Sequence, residues 1–557
     1  MRQSIIERKF IQMLPCFNKR KPASATISNV NRRHFLLSGF ALPLLAPRRA
    51  FCASGRIDIL PDEPIGTIAP TIYGHFTEHI GGVIYDGVWV GENSTIPNVG
   101  GIRKALVDRL RQIHAPVIRW PGGCFADSYD WRDGIGPRDK RPTRTNFWAN
   151  TPYLWKGPNG PQKYEPNAFG TNEFARFCQL AGAEPYLAGN VRSLPARDFY
   201  QWVEYCNSPA GTTTLAGLRG GPPFNVQYWG VGNESWGCGG NFTGDEYAIE
   251  FRRYTEWIPR YGLDLHFIAS GPNVADYRWT ESFFSKLLEK GPRTLRNVFG
   301  FALHYYCGGA NRGLADQFSV EEWYKQLADA VVMEELVRNH WEIMGQADRE
   351  HRVKLVVDEW GSWHETDPSI APNYLFGYYP SLRDALVSGL TLDIFNRHAD
   401  KVALACDAQL INNINALFIG AEDRFIVTPN FYVFDMYKEH QGATSVRTVI
   451  SSPILAESSA RGLPVLAGSS SIRSNRCTLT VVNSGVQSSQ EVEIDIRGRR
   501  ITGAKATVLT SSDIHAHNSF DHPDAVQPRQ ENNLRAASPF RYQFAPASVT
   551  RLDFDLA

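Results

Sequence analysis

The sequence lacks any large net charge and any long apolar run. Its 58 basic and 57 acidic residues leave a formal charge of +1 at neutral pH. This balance gives no electrostatic footprint for nucleic acid, so we expect no nucleic-acid partner. No apolar run approaches the roughly 18 residues that a membrane-spanning helix needs, so the sequence predicts no membrane anchor.

Cysteines are few and scattered. The chain has nine of them, without a C-x-x-C pair and without the Cys/His spacing of metal ligands. This excludes a structural zinc site and a redox motif. We therefore expect no metal, and we expect most of the cysteines to be small buried apolar residues.

Residues 1–53 differ in character from the rest of the chain. Arg32 and Arg33 precede a short, moderately apolar run that ends near Ala46. This pattern is typical of a twin-arginine export signal and predicts a periplasmic or secreted protein. The alternative is a basic leader in which two arginines stand together by chance.

From residue 71 onward, strand-like apolar runs alternate with amphipathic helical patterns. Eight of these runs end at residues with functional side chains, namely Glu78, Arg119, Asn190, Glu234, Asn273, Tyr306, Glu359 and Gln409. Eight short buried strands that alternate with helices predict an α/β fold, a (β/α)8 TIM barrel, over residues 71–437. Active sites of this fold lie at the carboxyl ends of the strands, where all eight residues fall.

After residue 437 the helical patterns stop. Short alternating runs, separated by Ser, Gly, Asn and Pro, indicate an antiparallel β-sandwich over residues 438–557. Another strand-like run, residues 56–60, precedes the barrel. Such a sandwich either packs against the barrel or binds carbohydrate, and we favour packing.

Two of the strand ends carry the carboxyl groups of a glycosidase. Glu234 ends the fourth predicted strand and Glu359 ends the seventh, so they should face each other across the barrel mouth. A retaining glycosidase holds two carboxyl groups about 5 to 5.5 Å apart. We therefore predict that these glutamates form such a pair.

The neighbours of the two glutamates suggest different roles. Glu234 lies beside the neutral Asn233 and two residues before a tryptophan, a setting that favours the protonated form of an acid/base catalyst. Glu359 can receive charge from Arg119 and a hydrogen bond from Tyr306, which suits an ionised nucleophile. A single glutamate at a strand end is more often a cap or a surface ion pair, but eight functional strand ends in one array argue against that interpretation.

A long insertion, residues 126–172, separates the second and third predicted strands. It is rich in Gly, Pro and aromatic residues, among them Trp131, Phe147, Trp148, Tyr153, Trp155 and Tyr164. A loop of this length usually has a function. It forms either a wall of the sugar pocket or an aromatic core that holds the loop in place.

Several segments together resemble the α-L-arabinofuranosidases of glycoside hydrolase family 51. They are GHFTEHIGG at 74–82, IRWPGGCF at 118–125, EYCN at 204–207, GNE at 232–234, DEW at 358–360 and TPNFYVFDMY at 428–437. The resemblance implies a clan A barrel with a C-terminal jelly-roll-like sandwich. It also implies that residues 54–70 add a strand to that sandwich.

The resemblance further implies an activity and a set of site residues. Members of this family are retaining exo-hydrolases that remove terminal α-L-arabinofuranosyl residues from arabinan, arabinoxylan or their oligosaccharides, without a metal or an organic cofactor. The family pattern matches the acid/base to Glu234 and the nucleophile to Glu359. It implies that six residues hold sugar hydroxyls or orient the nucleophile: Glu78, Arg119, Cys124, Asn233, Tyr306 and Gln409. We expect Asn233 to bind the 2-hydroxyl, and the family suggests a homo-oligomer, a hexamer.

Two alternatives stay open from the sequence. Another retaining barrel hydrolase, such as a β-xylosidase or an endo-glucanase, would use the same pair of glutamates. A non-catalytic carbohydrate-binding protein on a barrel scaffold is the second alternative. The presence of both glutamates argues against it, because binding alone requires neither.

Overall fold

The computed structural model describes residues 55–150, 163–309, 312–367, 374–455, 462–532 and 534–557. The candidate export signal lies outside these ranges, as do Tyr153 and Trp155 of the long insertion. Within the described ranges, no helix has both the length and the apolar character that crossing a membrane requires.

Eight parallel strands close into a barrel, and each corresponds to one of the eight predicted apolar runs. In chain order they are Gly74–Phe76, Val117–Trp120, Glu184–Gly189, Tyr228–Val231, His266–Ala269, Gly300–Gly308, Lys354–Trp363 and Val402–Asp407. The eighth strand pairs with the first, with Cys406 opposite Gly74, and this pairing closes the ring. The predicted (β/α)8 barrel is therefore confirmed.

Closure of the barrel depends on a glycine in the first strand. A β-carbon at Gly74 would lie 2.4 Å from the side chain of Val117 and 2.6 Å from the carbonyl oxygen of Ala405. Any larger residue would therefore push the first strand away from both neighbouring strands. Inside the barrel the core is made by Phe76, Val117, Tyr186, Ile268, Ala302, Val356, Leu404, Cys406 and Ala408.

Helices alternate with the strands and cover the barrel. They are Lys104–Gln112, Thr171–Ala181, Ala196–Asn207, Gly244–Thr255, Tyr277–Leu288, Val320–Ala347, Leu382–Arg397 and Pro429–Tyr437. A shorter helix, Thr214–Arg219, follows the third of them. The helix that begins at Val320 has a capping box, in which the Ser319 hydroxyl accepts from the Glu322 backbone and the Glu322 carboxylate accepts from the Ser319 backbone.

Shorter elements lie in the loops. Three hairpins pair Asn98–Val99 with Ile102–Arg103, Arg144–Thr145 with Tyr164–Glu165, and Phe418–Ala421 with Arg424–Val427. Turns of 3-10 helix span Pro70–Tyr73, Ala126–Ser128, Trp131–Gly134, Arg138–Lys140, Phe147–Asn150, Pro292–Asn297 and Lys438–His440. The turns between Ala126 and Asn150 belong to the long insertion, whose described part is therefore built mainly from local turns.

A second sheet of nine strands forms the other part of the molecule. From one edge to the other these strands are Arg529–Glu531, Ile501–Thr510, Ser548–Leu556, Arg476–Asn483, Leu466–Arg473, Thr444–Ser451, Gly55–Thr67, Gln490–Ile496 and Phe540–Phe544. Buried side chains from both ends of this order, such as Ile57, Phe544 and Leu552, pack into one core. The sheet thus folds back on itself as a sandwich.

One strand pairing differs from the predicted antiparallel arrangement. Gly55–Thr67 pairs antiparallel with Thr444–Ser451 but parallel with Gln490–Ile496. Hairpin connections are what make neighbouring strands antiparallel, and this strand enters from the other end of the chain without one. Its direction is therefore not constrained by the order of the C-terminal strands.

The barrel and the sandwich share a helix. Nearly all of Leu382–Arg397 is buried, and it contacts barrel and sandwich strands alike. Asp393 accepts hydrogen bonds from the hydroxyls of Ser469 and Thr480, both at 2.6 Å, and from Tyr437 at 3.0 Å. Burial raises the pKa of Asp393 to about 7, although the hydroxyl donors oppose the shift. This buried polar cluster supports the packing role that we favoured for the sandwich.

Candidate active site

The two candidate glutamates lie beside a third titratable residue, His304. One carboxylate oxygen of Glu234, one of Glu359 and one ring nitrogen of His304 all lie within 4.8 Å of one another. Retaining glycosidases hold their carboxyl groups about 5 to 5.5 Å apart, whereas inverting enzymes need about 6.5 Å or more to admit a water. The separation of Glu234 and Glu359 therefore fits retaining chemistry.

Glu359 lies in the seventh barrel strand, and both of its carboxylate oxygens accept a hydrogen bond. Arg119 Nη1 donates to Oε1 at 2.8 Å, and the Tyr306 hydroxyl donates to Oε2 at 2.9 Å. Burial and the nearby carboxylates raise the pKa of Tyr306, so its hydroxyl keeps the proton that it donates. These contacts orient the carboxylate and stabilise its negative charge.

Asp358 turns towards the barrel interior beside Glu359. Pairing of the seventh strand shifts register with both neighbouring strands here, which breaks the alternation that would put adjacent side chains on opposite faces. The Asp358 carboxylate accepts from Tyr186 at 2.7 Å and contacts Arg119 Nε at 3.3 Å and His304 Nε2 at 3.1 Å. Burial opposes ionisation of Asp358, but Arg119 and His304 outweigh it and lower the pKa to about 2.

His304 connects three carboxylates. Its Nδ1 lies 3.1 Å from Glu234 and 3.4 Å from Glu359, while its Nε2 faces Asp358. Burial opposes a charge on the ring, but the carboxylates of Glu359 and Asp358 raise the pKa of His304 to about 10. The imidazole is therefore a cation at neutral pH. No pattern in the sequence predicted a role for His304.

The loop that carries Glu234 is held from below by Asp127. The Asp127 carboxylate accepts backbone N–H groups from Val191 at 2.7 Å, Arg192 at 3.1 Å and Asn233 at 2.9 Å. Burial raises the pKa of Asp127 to about 7, although these hydrogen bonds oppose the shift. Glu234 itself has a positive φ of 40°, so its backbone adopts an unfavourable conformation that the surrounding contacts must maintain.

A disulfide lies next to Glu234. Cys124 and Cys238 are bonded across 114 residues of chain, and their sulfur atoms lie 3.9 and 3.6 Å from Glu234 Oε2. A bonded Cys124 has no S–H to donate, so it contacts the site as an apolar wall. The other described cysteines are buried as predicted, at Cys178, Cys206, Cys307, Cys406 and Cys477. The spacing of the cysteines in the sequence did not reveal the disulfide, because Cys124 and Cys238 come together only when the barrel folds.

Glu78 and Gln409 lie together on the side of the site formed by the first and eighth strands. Gln409 Nε2 donates to Glu78 Oε2 at 3.0 Å, and the Phe125 backbone donates to Glu78 Oε1 at 3.1 Å. Burial and the charge of Glu359 raise the pKa of Glu78 to about 7.

A β-carbon at Gly123 would lie 2.9 Å from Glu359 Oε1, which explains why the chain needs a glycine there.

The long insertion contributes in both of the ways that we considered. Trp148 donates its Nε1–H to Glu78 Oε1 at 3.3 Å and so borders the site. Trp131 is buried and stacks on Trp202. Tyr164 is 63% exposed and contributes to neither.

Two of the eight strand-end residues do not join the cluster. Asn190 holds its own loop, accepting from the Ser193 backbone at 2.8 Å and donating to the Tyr129 carbonyl at 3.1 Å. Asn273 has an exposed side chain. Besides His304, the sequence analysis gave no role to Asp127 or Asp358. His304 was within reach, because it lies two residues before Tyr306 on one strand and so shares its face.

Two family models match the chain. The model for the "Alpha-L-arabinofuranosidase 1 domain" matches residues 109–306, and the model for the "Alpha-L-arabinofuranosidase C-terminal domain" matches residues 358–548. The first contains Glu234, Arg119 and His304, and the second contains Glu359. Each of the two models thus contains one of the two candidate glutamates.

Relatives along nearly the whole chain agree with these models. An "Intracellular exo-alpha-L-arabinofuranosidase" from Bacteroides ovatus is 35% identical over 85% of this chain and 90% of the relative. An "Intracellular exo-alpha-(1->5)-L-arabinofuranosidase 1" from Bacillus subtilis is 26% identical over 88% and 97%. The crystal structure of the GH51 arabinofuranosidase from Xanthomonas axonopodis pv. citri matches with a TM-score of 0.83 and 34% identity, covering 90% of this chain and 100% of that one.

The predicted export is wrong. The relatives from Bacteroides ovatus and Bacillus subtilis are named intracellular, as is one from Acetivibrio thermocellus. Two arginines before an apolar run form a short pattern that arises without an export function. The segment that carries it lies outside the described residues.

Proposed function

The chain belongs to the α-L-arabinofuranosidases of glycoside hydrolase family 51, and from that premise we propose how its residues remove terminal α-L-arabinofuranosyl groups. The observation that supports this proposal most directly is that a carboxylate oxygen of Glu234 lies within 4.8 Å of one of Glu359. This separation supports double displacement with retention of configuration. In this proposal residues 71–437 are the catalytic domain, and residues 54–70 and 438–557 support it.

Glu359 is the nucleophile of the first step. Its carboxylate attacks the anomeric carbon, while protonated Glu234 gives its proton to the leaving oxygen and the glycosidic bond breaks. The product is a covalent arabinofuranosyl ester on Glu359. In the second step Glu234 takes a proton from water, the water oxygen attacks the same carbon, and the ester bond to Glu359 breaks to release arabinose.

His304 supports the change of role of Glu234 between the steps. In the free site its cationic ring lies between Glu234 and Glu359, at 3.1 and 3.4 Å. Formation of the ester removes the negative charge of Glu359, so the charge of His304 is then shared by Glu234 and Asp358 alone. That favours the carboxylate form, which the second step needs as its base.

The remaining predicted residues surround the sugar. Asn233 Oδ1 accepts from Arg119 Nη2 at 2.6 Å, and the Asn233 amide nitrogen lies 3.9 Å from Cys238 Sγ, a weak acceptor that a substrate hydroxyl can replace. We assign that hydroxyl as the 2-hydroxyl, where the interaction strengthens as charge develops in the transition state. Glu78 and Gln409 offer acceptors and donors to the other hydroxyls, and Cys124 limits the pocket as part of its disulfide.

The substrate class follows from the family and from the names of its members. We infer that the enzyme acts on arabinan, arabinoxylan or derived oligosaccharides, and that it works as a homo-oligomer, a hexamer. Size-exclusion chromatography with light scattering tests the assembly. A comparison of rates on linear arabinan and on arabinoxylo-oligosaccharides tests the substrate preference.

The catalytic assignment is tested with Glu359→Ala and Glu234→Ala on 4-nitrophenyl α-L-arabinofuranoside. We expect Glu359→Ala to lose about 10⁴-fold or more in kcat. Glu234→Ala should keep much more activity on this substrate, whose leaving group needs no proton, and should lose it on arabino-oligosaccharides. Glu350→Ala, at an exposed position, is the matched control.

Azide gives a stereochemical readout of the same assignment. It should react with the ester formed by Glu234→Ala and give the arabinosyl azide of retained configuration. With Glu359→Ala it should replace the nucleophile and give the inverted azide. Azide products of the same configuration from both variants, or turnover that survives in both without azide, would show that the roles are wrong.

A further inference from the structure

Arg383 is a buried arginine with no hydrogen-bond partner among the described residues. It is the second residue of the helix Leu382–Arg397 and is 3% exposed. Its Nε–H is buried and unpaired, and none of its guanidinium nitrogens lies in a hydrogen bond or ion pair with any part of the chain that the structure describes. The guanidinium lies on the ring of Phe318, 3.7 Å from the ring centroid.

The two carboxylates whose charges act most strongly on Arg383, those of Asp384 and Glu322, make their hydrogen bonds with other residues. Asp384 bonds His364 at 2.7 Å through one oxygen and the Ser381 backbone at 2.7 Å through the other. Glu322 caps its own helix by accepting from Ser319. Burial lowers the pKa of Arg383, and these two carboxylates only partly offset that shift. A buried guanidinium N–H without an acceptor is costly, so an acceptor bound beside Arg383 would stabilise this arrangement.

A cavity of about 50 Å³ lies against Arg383. It is lined by Gly308, Arg312, Leu314, Gln317, Phe318, Glu322, Lys325, Gln326, Asp329 and Arg383. One water needs only about 10 to 15 Å³, so the space admits a group of several atoms, such as a carboxylate, while a sugar ring attached to that group would remain outside. Arg312 and Lys325 are exposed residues of the lining. With Arg383 they bring three positive charges to the cavity, against the two carboxylates of Glu322 and Asp329, the second of which lies 4.0 Å from Arg312.

We propose that this cavity binds a small oxyanion, a carboxylate or a phosphate group, through the guanidinium of Arg383. Stacking on Phe318 covers one face of the guanidinium and leaves its edge, where the N–H donors lie, for a planar acceptor. Two parallel N–H donors match the two oxygens of a carboxylate or phosphate, which a neutral sugar does not offer. The cavity is separate from the catalytic glutamates, although Gly308 lies two residues beyond Tyr306 on the sixth strand.

Isothermal titration calorimetry at pH 7 and constant ionic strength tests this proposal on the full-length enzyme. The probes are sodium phosphate and sodium glucuronate, with xylose as the uncharged control. We expect one of the two anions to bind, xylose not to bind, and Arg383→Gln to raise the Kd about tenfold or more. Arg383→Lys keeps the positive charge but loses the paired N–H donors of the guanidinium, so its Kd should lie between those of the wild type and Arg383→Gln.

The controls separate specific binding from general effects of charge. Arg541→Gln removes an exposed arginine of the sandwich and should bind the anion as the wild type does. Turnover of 4-nitrophenyl α-L-arabinofuranoside by each variant reports that it is folded. Binding of phosphate alone assigns the site to free phosphate, and binding of glucuronate alone assigns it to the carboxylate of an acidic sugar. If neither anion binds, or if Arg383→Gln and Arg383→Lys bind as the wild type does, the cavity holds only water and the proposal fails.

Discussion

Replacement of His304 by Gln should move the acid limb of the pH profile of kcat/KM upward by about one pH unit. The buried imidazole has a pKa raised from 6.5 to about 10 and is therefore cationic throughout the working range. Glutamine removes the charge but keeps a hydrogen-bonding group. Without the cation, a carboxylate in the site takes up a proton at a higher pH, so activity is lost earlier on acidification.

The size of this shift follows from distance. Coulomb's law at an effective dielectric of about 20 gives roughly 5 kcal/mol for charges 3.4 Å apart, the separation of His304 Nδ1 and Glu359 Oε2. One pKa unit corresponds to about 1.4 kcal/mol. Because Arg119 remains and water can enter the space, we expect about a quarter of the full value, which is about one unit.

The assay is the pH dependence of kcat/KM on 4-nitrophenyl α-L-arabinofuranoside between pH 3 and 9. His440→Gln is the matched control, because His440 is buried against Ser471 and Thr480 outside the site. Burial lowers the pKa of His440 to about 3, so it carries no charge that its loss could remove. An acid limb that stays in place in His304→Gln, with a rate lowered equally at every pH, would refute the electrostatic role.

Three further predictions test other contacts. Tyr306→Phe removes one hydrogen bond to the charged Glu359 carboxylate, so kcat should fall about 10- to 100-fold with KM little changed. A raised KM with an unchanged kcat would contradict this prediction. The double variant Cys124→Ser/Cys238→Ser opens a 114-residue loop and should lower the free energy of unfolding by up to about 4 kcal/mol in urea titrations. A double variant as stable as the wild type would show that the disulfide does not stabilise the fold. The pKa of Asp358 is lowered from an ordinary 3.8 to about 2 in the folded state, so its ionised form stabilises the fold above about pH 4. This contribution, about 2 kcal/mol, is lost as the pH falls towards 2. Asp358→Asn should flatten that part of the pH dependence of stability, and an unchanged slope would show that Asp358 is not its source.

Much of the fold was accessible from the sequence because the barrel repeats a short pattern. Each strand is an apolar run of a few residues, and eight such runs in alternation with helices leave few other architectures. The same repetition predicts Glu234 and Glu359 at strand ends. Glu234 does follow the fourth strand, whereas the seventh strand continues past Glu359 to Trp363. The parallel pairing of Gly55–Thr67 with Gln490–Ile496 was not accessible, because strand order in a sandwich depends on pairings distant in sequence.

The supporting residues of the site were harder to predict than the catalytic pair. Asp127 lies in a loop without periodicity, and its function depends on three backbone N–H groups from two other loops. The link between Cys124 and Cys238 joins loops after the second and fourth strands, and no spacing rule connects them. Strict strand alternation predicts that the Asp358 side chain, next to Glu359, points away from the site. The register shift that reverses this is a tertiary feature.

The helix Leu382–Arg397 bears on how this enzyme can be divided or recombined. Truncation after Tyr437 would leave the hydroxyl-binding carboxylate of Asp393 facing water without Ser469 and Thr480. A barrel transplanted without its own sandwich would carry the same defect. The matched C-terminal family model, residues 358–548, likewise begins inside the seventh barrel strand and not at the end of the barrel. A viable chimera should therefore exchange the segment from the seventh strand onward together with Gly55–Thr67, which pairs with two strands of the sandwich. Its second junction then passes between Glu234 and Glu359.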